Sequence, residues 1–229
     1  HTGGAGAANY SYDCHIMKFS SASVCLWSTY YGGAVSANQM GEEMASSITV
    51  DGNGNVFVTG KTDATAFPTM NPGGGAFFQG ARAGGIFDND AFILKFNNNG
   101  VRQWATYYGG STGSEFGTSI ITDASGNVFV TGSTASNNFP LQNLAGAYNQ
   151  AVAGGADDAF IIKFDNNGVR LWSTYVGGSD KDVATSIAID NNAVLITGQT
   201  LSPNFPLQNL PGAYNQSVYG GGTPSWPSP

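Results

Sequence analysis

Positive charge is scarce in this sequence: eight Lys and Arg stand against fifteen Asp and Glu, for a net charge of −7 at pH 7. Those eight are scattered, whereas phosphate backbones are gripped by clustered Lys and Arg, so a nucleic-acid partner is excluded. Histidine is nearly absent. His1 and His15 are the two copies, which leaves little material for a general base, and no G-x-S-x-G elbow, H-E-x-x-H pair or Walker loop occurs. Apolar runs of the roughly 18–20 residues that span a bilayer as a helix are missing too. The chain opens on His1 rather than Met, with a Gly/Ala-rich stretch behind it, as expected of a processed mature chain or a trimmed fragment. Cysteine is limited to Cys14 and Cys25, too few for a disulfide framework. With a hairpin turn near Ser20–Ser23, Phe19 faces Val24 and Cys14 faces Thr29, so both thiols are expected to be free or intermolecular.

What is present is apolar and repetitive. Hydrophobic residues make up 41% and aromatics 12% of the 229 residues, which excludes a disordered segment. The 33 glycines point to the many tight turns of an all-β chain of short strands. The heptapeptide "GNVFVTG" stands at Gly54–Gly60 and again at Gly126–Gly132, with "NAVLITG" ending at Gly198 as an echo. A stacked structural unit is written many times; a catalytic loop is needed once. Around each copy the same order recurs. A first hairpin starts at Asp13, Asp90 and Asp158 ("DAFILKFNNNGVRQWATYYGG" in the second case), then a second hairpin follows, then a long loop with Phe67-Pro68, Phe139-Pro140 or Phe205-Pro206.

The turns "NNNG", "DNNG", "GNGN" and "ASGN" supply residues that tolerate positive φ, and the flanking runs are β-branched or aromatic and too short for helices. In "AFIIKF", Phe160, Ile162 and Phe164 alternate with apolar Ala159 and Ile161. Strands apolar on both faces are covered on both faces, and four short strands stacked between copies of themselves describe a propeller blade. The expected fold is therefore all-β, a β-propeller-like array of three four-stranded blades, part of a larger propeller or completed by other subunits. Its expected units are residues 13–89, 90–157 and 158–222, with an N-terminal segment 1–12 and a Pro-rich tail 223–229. Three blades fall short of the usual four to eight. The chain's two ends abut in repeat phase, so two copies give six blades, and an interface that fails to close gives a filament.

The segments W-[SA]-T-Y-x-G-G, D-x-x-x-N/A-V-x-[VI]-T-G-x-T, N-F-P and D-A-F-I-x-K-F together resemble the bacterial SBBP β-propeller repeat family, from Asp13 to about Tyr214. The first repeat departs from the pattern, with "DCHIMKF" and "TAFP". The resemblance implies extracytoplasmic bacterial proteins, a scaffold repeat and no catalytic residues.

Nine acids occupy repeat slots: Asp13, Asp90 and Asp158; Glu43, Glu115 and Asp182; Asp51, Asp123 and Asp190. Catalytic carboxylates form asymmetric pairs, so identical slots read as scaffold, with Lys18, Lys95 and Lys163 expected to pair with these acids as blade-to-blade braces. The "DGNGN" type of turn invites a calcium reading, but position twelve of an EF-hand falls on Thr62, Thr134 or Leu201. A looser calcium site through carbonyls is the alternative to side chains bonding turn amides. No other cofactor is expected. His15 fills the slot of Phe92 and Phe160 and reads as a core or edge residue. Phe77, Tyr148 and Tyr214, in the long loops, are the candidate binding aromatics, and Trp226, outside the repeat, is the candidate intersubunit anchor. The expected function is that of a non-enzymatic extracellular or cell-surface structural protein whose repeats self-associate through termini and blade edges, as a fibre or sheath. The alternative is a module of a larger surface protein that binds glycan or cell-surface proteins.

Overall fold

The structure, a computed structural model, describes residues 12–33, 41–191 and 193–221. All of its regular elements are strands: β1 Cys14–Phe19, β2 Cys25–Tyr31, β3 Glu43–Val50, β4 Val56–Thr62, β5 Asp90–Phe96, β6 Arg102–Tyr108, β7 Glu115–Thr122, β8 Val128–Thr134, β9 Asp158–Phe164, β10 Arg170–Val176, β11 Asp182–Asp190 and β12 Ala193–Thr200. Among the described residues, no helix is long and apolar enough to cross a membrane.

Turn chemistry sets the hairpins. Asp51 Oδ1 accepts from the backbone N–H of Asn53 and Asn55 (2.9 Å each), and Gly54 supplies the positive φ of 79° that closes the loop. Asp123, Asn97 and Asp165 cap their own turns in the same way. In the first hairpin Ser23 takes the positive φ, 61°, and a bulge falls between Lys18 and Phe19. Cys14 therefore lies opposite Tyr31, and Phe19 opposite Cys25, a register different from the Cys14–Thr29 and Phe19–Val24 facing expected from an unbulged hairpin. Both cysteines are free.

Sheet pairing corrects the expected blade frame. The strands form two four-stranded antiparallel sheets, β3-β4-β5-β6 and β7-β8-β9-β10, and two two-stranded ones, β1-β2 and β11-β12. Each complete sheet joins the second hairpin of one sequence repeat to the first hairpin of the next. The spans 13–89, 90–157 and 158–222 thus cut across sheets, and three whole blades are replaced by two whole blades and two halves. The reason lies in the connections. The long loop between β4 and β5 stays with its own sheet, where Met70 pairs with Ala105 and covers the outer strand β6. The short Gly-Gly segment after β6 instead steps to the next sheet.

Strands β3, β7 and β11 are the innermost of their sheets: Ser47 Oγ accepts from the Ile120 amide (3.2 Å) and Ser119 Oγ from the Ile187 amide (3.4 Å). Sheets stack face to face, so Ala91, Phe92, Ile93 and Leu94, consecutive in β5, are all buried. One core fills the space between the β1-β2 hairpin and the first whole blade, around Phe67, Phe92 and Tyr107; the other fills the space between the two whole blades, around Trp104, Phe139 and Phe160.

Candidate functional site

Three sets of residues compete for a functional role: the repeated acids, the loop aromatics and the open edges of the end hairpins.

The acids are built into the joints between sheets. Asp90 begins β5 in one blade and Glu115 begins β7 in the next. A Cβ on Gly109 would lie 2.5 Å from Glu115 Oε2 and 2.6 Å from Asp90 Oδ1, so the first glycine of the Gly-Gly segment is required by the carboxyl pair. Gly32 stands likewise between Asp13 and Glu43, and Gly177 between Asp158 and Asp182. Glu115 accepts from Thr134 Oγ1 (2.7 Å), Glu43 from Thr62 Oγ1 (2.8 Å) and Asp182 from Ser202 Oγ (2.7 Å). Burial pushes these carboxyls up: Glu115 to about 8, with the charge of Asp90 adding to it, and Asp90 and Glu43 each to about 7. Asp90 Oδ1 is buried without a hydrogen-bond partner. Two carboxyls meeting over a glycine recur at all three joints.

At Asp51, burial raises the carboxyl pKa, but the amides of Asn55 and Asn166 and two backbone N–H groups together outweigh it and hold the group below its usual value. Its oxygens are taken by amide donors, as are those of Asp123. Asp190 accepts from the side-chain amide of Asn191 (2.9 Å). No group of three or more His, Cys, Asp or Glu side chains is placed to hold a metal ion among the described residues.

Two of the three lysines, Lys95 and Lys18, cross between sheets, but to other partners. Lys95 Nζ reaches the Asn166 carbonyl (2.6 Å) in the next blade, Lys18 reaches the Asn98 carbonyl and side chain, and Lys163 lies over the Phe129 ring at 5.2 Å. Asp90 and Glu115 are turned toward the Gly109 joint, and Lys95 and Lys18 meet turn carbonyls instead, while Lys163 stays on a ring of its own sheet. The two ion pairs of the described residues are Lys61–Glu42 and Lys181–Asp157.

Among the aromatics, Phe77 is an anchor rather than a binding group: its ring packs 4.6 Å from Tyr108, with the Arg170 guanidinium 4.7 Å from its centroid. Tyr148 occupies the matching slot, its carbonyl accepting from Trp172 as Phe77's does from Trp104. It is half-exposed, and it lines an open cleft of about 430 Å³ with Asn149, Gln150 and Gly154. Tyr214 is 90% exposed. Trp226 lies outside the described residues.

The end hairpins carry residues the sequence reading passed over. Tyr107 and Tyr175 are fully buried, each hydroxyl accepting from a loop amide (Phe67, 2.9 Å; Phe139, 3.0 Å) and donating to a loop carbonyl (Ala64, 2.7 Å; Ser136, 2.8 Å). Tyr30, at the same position of β2, is 73% exposed. At the other end, Phe205 corresponds to Phe67 and Phe139, but its ring borders an open cavity of about 400 Å³ with Ile196, Thr197 and Gly198. The signal was present in the repeat alignment, where Tyr30 and Phe205 are the slots that a neighbouring blade would complete.

Residues 26–68 and 103–140 match the SBBP β-propeller repeat family. The chain carries SBBP repeats. Each match runs from an outer strand, through the two inner strands of the next sheet, to the Phe-Pro of the loop, and the same elements recur over 171–206. A second similarity, 25% identity over 136 residues, is to an uncharacterized WD repeat-containing protein of Acanthamoeba polyphaga mimivirus; it spans 50% of this chain and 10% of that protein's length.

Proposed function

We propose that this SBBP-repeat protein is a non-enzymatic structural protein of the extracellular space or bacterial cell surface, and that it self-associates through its termini and blade edges as a unit of a fibre or sheath. One observation carries the reading. Tyr30 is 73% exposed where its repeat equivalents are fully buried, and among the described residues the hairpins at both ends pair with no further strand, a template for further pairing. Met17, Phe19 and Leu195 add apolar side chains at 46%, 54% and 52% exposure on those hairpins. Other copies of the chain are the partners. Light scattering on the purified chain tests this: a mass that is a multiple of the 23.7 kDa chain is expected, and a single-chain mass at tens of micromolar would sink it.

The cleft beside Tyr148 favours a second reading, a module that binds glycan or a cell-surface protein through its loops. An exposed ring next to amide side chains suits sugar stacking. A glycan array with Tyr148→Ala as control separates the two readings, since self-association leaves array binding blank.

A further inference from the structure

The two end hairpins are not equivalent halves. β11-β12 corresponds to the inner pair β3-β4 or β7-β8, and β1-β2 to the outer pair β5-β6 or β9-β10. Within one chain they remain separate sheets, and three blades are below the count at which propellers usually close. We infer that β12 of one copy pairs antiparallel with β1 of another, so that an inner half and an outer half from two chains make one four-stranded blade. This rests on the self-association proposed above and specifies its surface and register.

The register follows from the complete blades. Gly60 lies opposite Phe92 and Thr62 opposite Asp90; Gly132 lies opposite Phe160 and Thr134 opposite Asp158. The equivalent pairs across copies are Gly198 with His15 and Thr200 with Asp13. Glycine is required at this point by the hairpin itself, since a Cβ on Gly60, Gly132 or Gly198 would stand 2.0, 1.9 or 1.9 Å from the Met44, Phe116 or Val183 carbonyl, and at Gly60 and Gly132 the Phe92 or Phe160 ring also closes to 2.8 Å. At Gly198 no such ring is present, and His15 brings one. Thr59 and Thr131, buried, donate to the Phe92 and Phe160 carbonyls (2.8 and 2.6 Å). Thr197, their counterpart, is exposed and would donate to the carbonyl of His15. Tyr30 would enter the cavity at Phe205, its hydroxyl between the Phe205 amide and the Ser202 carbonyl.

A correlated departure from the repeat supports the same joint. Arg102 Nη1 donates to Tyr31 Oη (2.9 Å), and Arg170 Nη1 to Tyr108 Oη (3.0 Å), each bond crossing between sheets. At the third joint the tyrosine slot holds Val176 and the arginine slot holds Cys25. Both members change, one near each end of the chain. Two residues 151 positions apart in sequence that lose a shared bond together are partners across the proposed joint. A lone Arg in the slot of Cys25 would bury an unpaired cation against Val176.

Disulfide trapping between two separately made copies tests the register. One carries Met17→Cys and the other Ile196→Cys, both with Cys14→Ala (the residue of the Ala91 and Ala159 slot) and Cys25→Ser. Opposed strand positions lie within disulfide reach. A covalent heterodimer is expected at about tenfold the yield given by Met17→Cys with Leu195→Cys, whose side chain lies on the other face. Equal or absent cross-linking, with light scattering still reporting a multiple of the chain mass, would overturn the composite blade and leave self-association standing. A single-chain mass would overturn both. As a second measurement, Val176→Tyr and Cys25→Arg introduced together should tighten association about tenfold, and no gain over either single change would count against the joint. Two such joints close a ring of six blades at twice the chain mass; a larger multiple marks the same joint repeated in an open array.

Discussion

The β5-β6 and β1-β2 hairpins descend from the same sequence pattern and meet different fates. In β5, side chains of both faces are buried and Tyr107 in β6 is sealed under the Phe67 loop; in β1-β2, one face packs on the first whole blade and the other, with Met17, Phe19 and Tyr30, lies open. Intrinsic preference cannot account for this, since the strands are nearly the same. Burial does: a propeller strand needs a neighbour on each side, and the end hairpins have one. Residues of identical type thus contribute to folding in the interior and remain available for association at the ends.

The comparison can be broken most sharply at the tyrosines. Tyr175→Ala should remove about 3–5 kcal/mol of stability through a cavity and two orphaned backbone groups, read as a drop of roughly 10 °C in the unfolding midpoint. Tyr30→Ala should stay within about 0.5 kcal/mol in dilute protein while abolishing association in light scattering.

Acidity sharpens it next. Glu115, Asp90 and Glu43 have folded-state pKa values raised to about 8, 7 and 7. Raised carboxyls favour folding while protonated, so their contribution is complete below pH 4 and is lost as pH rises through about 8. Thermal midpoints should therefore fall steadily between pH 5 and pH 9. Glu115→Gln should flatten part of that slope, leaving the part that Glu43 contributes at its own joint.

The smallest effect lies in the turns. Asp123→Ala removes the acceptor for two turn amides and should cost about 1 kcal/mol in denaturant unfolding. Asp190→Ala, at an exposed position at the end of β11, should cost less than about 0.5 kcal/mol. Equal losses would mean the two ends of the array are held as firmly as its middle.

Strands and turns were legible in the sequence because each turn carries its own chemistry, Asp51 and Asp123 capping, Gly54 and Gly126 at positive φ. The acid slots were legible as a repeating set, although their pairing across Gly109 was visible only in three dimensions. The blade frame was not. A periodic chain of hairpins can be divided at either of two phases, and nothing local to β4 or β5 says that a loop as long as 63–89 joins strands of one sheet while the short 109–114 segment leaves it. Lysine partners failed for a related reason: complementary charge is a sequence-level argument, and the carboxyls of Asp90 and Glu115 point into the joint, away from Lys95. Phe77 was expected at a binding surface because loops often carry function, and here the loop is pressed onto Tyr108.

The half-blade offset between sequence repeat and sheet has a consequence for how such a chain can change length. Insert or remove one repeat of the kind that starts at Asp90, and the first strands of the array are still an outer pair and the last still an inner pair. The girth changes by one blade; the pair of half-blades proposed to join across copies does not. Duplication within the gene could then alter the size of an assembly without any new contact having to arise at the seam, and chains with different repeat counts would share one coupling.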